Sequence, residues 1–191
     1  MASPQTLDLT DRRVLAAWAA DCAERVLPLF ERHAPEDGRP RDGRPRDGRP
    51  RDGRPRDGIV RTRAFARGEI DAAEMIRRRF ETGRAASAVR DPAARAAGFA
   101  AGQASGVAHM GAHALGAAAY AVRAAGLGYS GSGADELRWQ IGSMSAEVGR
   151  ALRRLPLLGT DSSGPLGSGL LASGGLAVTI RALQASVVAA P

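Results

Sequence analysis

The chain has 191 residues, 44% hydrophobic and only 4% aromatic, which suits one domain with a core of small side chains. Its formal net charge is +7, but so few aromatic rings accompany the arginines that a nucleic-acid-binding surface is disfavoured. The single cysteine excludes an internal disulfide, and no apolar run is long enough to span a membrane, so we expect a cytoplasmic protein without a membrane partner.

The first predicted helix begins near Asp8 or Thr10, whose side-chain oxygens can cap free amides. Apolar residues recur at intervals of three and four over Val14–Phe30, which predicts an amphipathic helix. Pro28 lacks an amide hydrogen and should kink or end this helix. Cys22 lies on the apolar stripe, so a buried structural thiol is favoured over a nucleophile.

Residues 37–56 are four tandem copies of Asp-Gly-Arg-Pro-Arg, followed by Asp57-Gly58. Glycine and proline in every copy oppose a helix and nothing apolar can be buried, so 37–58 is predicted to be a long disordered loop within the domain. The arginines could bind an acidic surface, but an expansion without function is the favoured interpretation. In the last copy, Asp52 could cap a helix that has Pro55 in its first turn.

Two further helices are predicted before residue 91. The first runs from about Pro55 to Arg67, and the next from Glu69 to about Arg90, with Phe80 among its inward-facing residues. The arginine run at 77–79 is interpreted as facing solvent.

Asp91-Pro92 is a clear helix start, with a capping carboxylate and proline at the first position. The alanine-rich stretch that follows predicts two helices with a break near Ser105–Gly106, or one bent helix. Another helix is predicted over Ala134–Leu155. Residues 156–191 are rich in glycine and serine and are predicted to be a weakly ordered extension, in which Leu176–Val188 either forms a weak terminal helix or stays loose.

His109 and His113 lie four residues apart, a spacing that in a helix puts both imidazoles on one face. Such a pair could bind a divalent metal, but a zinc-protease helix would carry Glu where Met110 stands, and no third ligand is evident nearby. Histidines paired within the core are therefore the favoured interpretation. The alternative is an enzyme that uses this face on a small molecule or with a metal.

Three segments together resemble the immunity-5-like family of putative immunity proteins from bacterial polymorphic-toxin systems. They are Trp18–Phe30, Arg54–Ile70 and Ala94–Ala121, and the Arg138-Trp139 pair also matches. The resemblance covers roughly residues 8–155. It implies a small cytoplasmic helical protein that binds and blocks a cognate protein toxin. We expect no catalytic residue and no cofactor, and the sequence does not determine the oligomeric state.

The expected fold is therefore a single all-α bundle of about five or six helices in residues 1–155, interrupted by the repeat loop. The polar positions that match the family would form either a toxin interface or a polar network in the core. They are Trp18, Asp21, Glu24, Arg25, Arg63, His109, His113, Arg138 and Trp139.

Overall fold

The computed structural model describes residues 3–33, 52–129 and 132–189, which form eight α-helices and one short 3-10 helix. No β-strand occurs within these ranges, so the predicted all-α class is confirmed. The helices outnumber the expected five or six, because residues 134–155 form two helices and the C-terminal segment adds another. The predicted disordered loop falls largely on residues 37–51, which lie outside the described part of the chain, but its last residues, 54–58, are helical.

Helix α1 spans Leu9–His33 and begins directly after Asp8, as predicted. The Asp8 carboxylate accepts a hydrogen bond of 2.9 Å from the Asp11 amide, which satisfies one of the free donors at the helix start. That bond and the nearby Arg154 hold the pKa of Asp8 below its usual value against the opposing effect of desolvation.

Pro28 lies inside α1 and does not end it, contrary to one of the two expected outcomes. The flanking residues Leu27, Leu29 and Phe30 are all buried. Burying three such side chains contributes roughly 2 kcal/mol each. This exceeds the cost of about 3 kcal/mol for an internal proline, so the core holds the last turns in helical form.

Helix α2 spans Arg54–Arg67 and has Pro55 in its first turn, as predicted. Asp52 does not cap it. The N-cap position is Gly53, which has no side chain to make a capping hydrogen bond, and the Asp52 carboxylate lies one residue before it and accepts a hydrogen bond of 3.2 Å from the amide of Arg54, the first helical residue.

Helix α3 spans Ala72–Ser87 and is shorter than predicted at both ends. Its start is fixed by Asp71, whose carboxylate accepts a hydrogen bond of 2.7 Å from the Glu74 amide. Phe80 was expected to face inward, but it is 59% exposed. The helix therefore presents an aromatic side chain on its outer surface.

Helices α4 and α5 span Pro92–Gly106 and His113–Gly128, and they form the centre of the bundle. The Asp91 cap is confirmed by a hydrogen bond of 2.8 Å from the Ala94 amide, and the predicted break is confirmed by the connection at residues 107–112. Both helices pack against α1, and α4 also packs against α3. Their facing positions are mostly buried alanines, so the helix backbones approach closely.

Helices α6 and α7 span Gly133–Gly142 and Ala146–Arg153, so the prediction of one helix over Ala134–Leu155 is wrong. Ser145 separates them, because its hydroxyl accepts a hydrogen bond of 3.3 Å from the Val148 amide and so caps a new helix.

The C-terminal segment contains the 3-10 helix Leu170–Ala172 and helix α8, Gly174–Ala189. Of the two outcomes expected for Leu176–Val188, the helix is the one observed. Leu166, Ile180 and Leu183 are fully buried in the same apolar core as the other helices. None of the described helices is both long enough and apolar enough to cross a membrane.

Candidate functional site

Asp21, Glu24 and Arg63 form an ion cluster on the outer surface of the bundle. Asp21 and Glu24 lie three residues apart on α1, and the Arg63 guanidinium from α2 reaches both carboxylates, at 2.7 and 2.5 Å. Partial burial opposes the charge of Arg63, but the hydrogen bonds that it donates to the two carboxylates outweigh this effect and raise the arginine pKa. Three of the predicted positions thus meet at one place.

Arg25 lies one residue further along α1 and binds two residues of α6. Its Nε lies 2.8 Å from Glu136 Oε2, and its guanidinium carbon lies 3.9 Å from the centroid of the Trp139 ring. The Glu136 side chain is only 5% exposed, whereas that of Arg25 is 41% exposed. The arginine therefore compensates a nearly buried carboxylate and stacks on an aromatic face.

Trp18 joins the same group from the buried side of α1. Its indole Nε1 donates a hydrogen bond of 3.3 Å to the Gln140 carbonyl. The Gln140 side-chain amide in turn donates to Glu136 Oε1 and to the Ala118 carbonyl of α5, both at 3.1 Å. The network thus links α1, α5 and α6.

Glu136 and Gln140 complete this network, but neither was among the predicted positions. A signal for them was present in the sequence, because they lie four apart on one helix face and flank Arg138-Trp139. Arg138 does not join the network, since its guanidinium pairs with Asp135 on the exposed surface.

The histidine pair has a different geometry from the one expected. His109 lies in the connection between α4 and α5, and His113 is the first residue of α5, so they do not share a helix face. Both nevertheless line one cavity of about 690 Å³, which we call the histidine cleft. Its other lining side chains include Phe80, Arg84, Phe99 and Gln103.

His113 is held by Gln103 of α4, whose Oε1 lies 2.8 Å from the imidazole Nδ1. A Cβ on Gly106 would lie 2.9 Å from the His113 ring, and one on Gly116 would lie 2.4 Å from Gln103 Oε1. A side chain at either position would therefore require the imidazole or the amide to shift from its place between α4 and α5.

Burial, and to a smaller extent the neighbouring His109, lower the pKa of His113 from 6.5 to about 4. The ring is therefore neutral at physiological pH. With Gln103 Oε1 as the acceptor, Nδ1 carries the hydrogen and Nε2 is left as an acceptor.

This geometry gives little support to a cysteine nucleophile or to a metal site. Cys22 is fully buried, and desolvation, together with the nearby Glu136 and Asp21, raises its thiol pKa well above the usual value. The thiol is thus protonated at neutral pH. In the part of the chain that the structure describes, no three His, Cys, Asp or Glu side chains are grouped to hold a metal ion.

Comparison with known proteins gives one family. The family described as Imm-5 like putative immunity protein matches residues 5–45 and 46–147. No curated protein and no solved structure matches the chain. The matched residues contain all nine predicted polar positions.

Proposed function

The chain belongs to the Imm-5 like putative immunity protein family, and we propose that it binds and neutralises one cognate protein toxin stoichiometrically, without catalysis. The observation that carries this proposal is the family match, which runs from residue 5 to residue 147 in two adjoining segments. The fold supports it, because a helical bundle with a buried core can present a preformed surface to a partner.

The direct test is protection from a toxin. Each toxin encoded beside this gene is expressed in a sensitive host with and without the protein, and growth is measured. We expect growth with one toxin only, together with a 1:1 complex of the two purified proteins. If every neighbouring toxin stays lethal and none forms a complex, the proposed function is wrong.

We place the toxin contact on the exposed ion cluster of Asp21, Glu24 and Arg63. The side chains of Asp21 and Glu24 are 47% and 52% exposed, and that of Arg63 is 32% exposed, so a partner can reach all three. Trp18 is buried, and its hydrogen bond to Gln140 ties α1, which carries Asp21 and Glu24, to α6. In this proposal the three residues of the ion cluster contact the toxin, and Trp18 and Arg25 support the helix that carries the two carboxylates.

The variant Arg63→Ala separates the two roles. An exposed ion pair contributes about 1 kcal/mol or less to stability, so the melting temperature should change by only a few degrees while toxin binding weakens at least about tenfold. Arg150→Ala is the matched control, because Arg150 pairs with Glu147 on α7, on a different helix. Equal affinity of both variants for the toxin would exclude this surface as the contact.

A second candidate function is an enzyme that uses His109 and His113, and the histidine cleft favours it. For the metal-dependent form, the purified protein is titrated with Zn²⁺ and the heat of binding is measured. Saturable 1:1 binding that is lost in both His109→Asn and His113→Asn would support that form, and no binding would exclude it.

A further inference from the structure

We propose that the histidine cleft is a binding site for a small aromatic carboxylate that also carries a hydroxyl group. This site is separate from the toxin-contact surface, and it requires neither the toxin nor a catalytic step. Four features of the cleft lead to this ligand: its size, its aromatic walls, its charge and the hydrogen-bonding state of His113.

The size and floor of the cleft suit a flat small molecule. Its volume of about 690 Å³ lies within the usual range for ligand sites. The floor is lined by Gly83 of α3 and Gly102 of α4. A Cβ on Gly102 would lie 3.3 Å from the Gly83 Cα, so the two helix backbones approach closely there, whereas a Cβ on Gly83 would meet nothing within 4 Å. The space beside Gly83 is therefore open, and a planar ring can lie against that backbone.

Aromatic side chains form the walls. Phe80 of α3 and Phe99 of α4 both line the cleft. The Phe99 ring is fixed from behind, because its centroid lies 5.3 Å from that of Tyr120 in a tilted contact. A fixed phenyl ring beside a cavity favours an aromatic ligand, since little side-chain entropy is lost on binding.

The charge of the lining favours an anion. Arg84 lies at the rim, it is exposed, and no carboxylate is among the described residues that line the cleft. An arginine guanidinium binds a carboxylate through two parallel hydrogen bonds, which gives the anion a defined orientation.

His113 supplies the complementary acceptor. Its Cγ, Cδ2 and Nδ1 atoms face Gly106, so Nε2 lies at the far side of the ring. Since Gln103 fixes the hydrogen on Nδ1, Nε2 can accept a hydrogen bond from a ligand hydroxyl. A ligand with a carboxylate at one end and a hydroxyl at the other therefore matches the two polar groups.

The probes are para-hydroxyphenyl carboxylates with zero, one or two methylenes before the carboxylate, so that the ligand length is not assumed. Binding to the full chain is measured by calorimetry at pH 7. We expect saturable 1:1 binding of at least one acid. Its neutral amide and its analogue without the hydroxyl should each bind about tenfold more weakly or worse, which is roughly 1.4 kcal/mol.

The variant Gly83→Leu tests the location. A Cβ at Gly83 meets nothing within 4 Å, so a leucine side chain begins in the open space beside the cleft, and leucine also favours the helix. We expect it to weaken acid binding at least tenfold. Gly142→Leu is the matched control, because its Cβ also meets nothing and Gly142 ends α6, away from the cleft. Arg84→Gln should weaken the acid but not the amide.

The proposal is wrong if no acid binds saturably, or if Gly83→Leu binds the best acid as tightly as Gly142→Leu does. A third result would also overturn the proposal: the unaltered chain binds no acid, and Gly83→Leu no longer protects against the toxin. That result would show that the cleft receives a segment of the toxin protein. Growth protection by the unaltered chain does not depend on whether the acids bind. The binding test and the growth test can therefore fail independently.

Discussion

At the residue scale, burial of His113 couples the stability of the protein to pH. The folded pKa of about 4 lies below the ordinary value of 6.5. Between these values the unfolded chain takes up a proton that the folded chain does not, so the free energy of unfolding falls as the pH falls. The stabilising contribution is complete above pH 6.5 and is lost towards pH 4, by about 3 kcal/mol in all.

We predict that His113→Asn is less stable than the unaltered protein at pH 7 and that this difference shrinks steadily towards pH 4. Urea unfolding at four pH values measures it. The carboxylates and the other histidines are common to both proteins, so their titrations cancel in the difference. A difference that stays constant over this range would show that His113 is not a buried neutral group.

The pair of Arg25 and Glu136 gives a second prediction at the residue scale. Arg25→Ala leaves a carboxylate that is 5% exposed without its cation, and we expect a loss of about 2 kcal/mol in unfolding free energy. Arg25→Ala combined with Glu136→Gln should recover part of that loss, because the remaining amide is uncharged. Urea unfolding of the single and double variants measures the coupling, and strictly additive losses would contradict it.

At the element scale, the junction of α4 and α5 depends on the absence of side chains. Gly106→Ala places a Cβ 2.9 Å from a His113 ring that Gln103 holds in place, so the ring cannot yield without losing its hydrogen bond. We predict that this substitution lowers the free energy of unfolding by about 1–3 kcal/mol.

Gly149→Ala on α7 is the control, because a Cβ there meets nothing within 4 Å. It should stabilise the protein by about 0.5–1 kcal/mol through higher helix propensity. Thermal unfolding of both variants provides the comparison. A Gly106→Ala protein as stable as Gly149→Ala would mean that the His113 ring has room to move.

At the scale of the whole molecule, the C-terminal segment packs with the domain from which the sequence analysis separated it. Leu166, Ile180 and Leu183 are fully buried, and the Leu166 amide donates a hydrogen bond of 2.9 Å to Gln5 near the N-terminus. Three such side chains contribute about 6 kcal/mol, a large part of the 5–15 kcal/mol stability of a typical domain.

We therefore predict that a chain of residues 1–155 loses most of its cooperative thermal unfolding. Circular dichroism during heating measures this. Val178→Ala is the control within the same segment. Because Val178 is 67% exposed, its truncation should hardly change the melting temperature. If residues 1–155 melt at the temperature of the full chain, the boundary at residue 155 is a domain boundary, as the sequence analysis expects.

Local signals determined the parts of the fold that depend on neighbouring residues. The Asp91 cap, the start of α1 behind Asp8 and the break after Gly106 follow from short-range hydrogen bonding and from the low helix propensity of glycine. The Ser145 cap is also a local signal, but the apolar spacing continues across it and favours one unbroken helix.

The sequence by itself thus determined the all-α class, most helix starts and the family. Only the tertiary structure decided that Pro28 stays helical, that Glu136 and Gln140 complete the network of Trp18 and Arg25, and that His109 and His113 meet at a cleft rather than on one helix face. The physical reason is that capping and propensity act over a few residues, whereas burial and the pairing of buried polar groups depend on which helices the whole chain brings into contact.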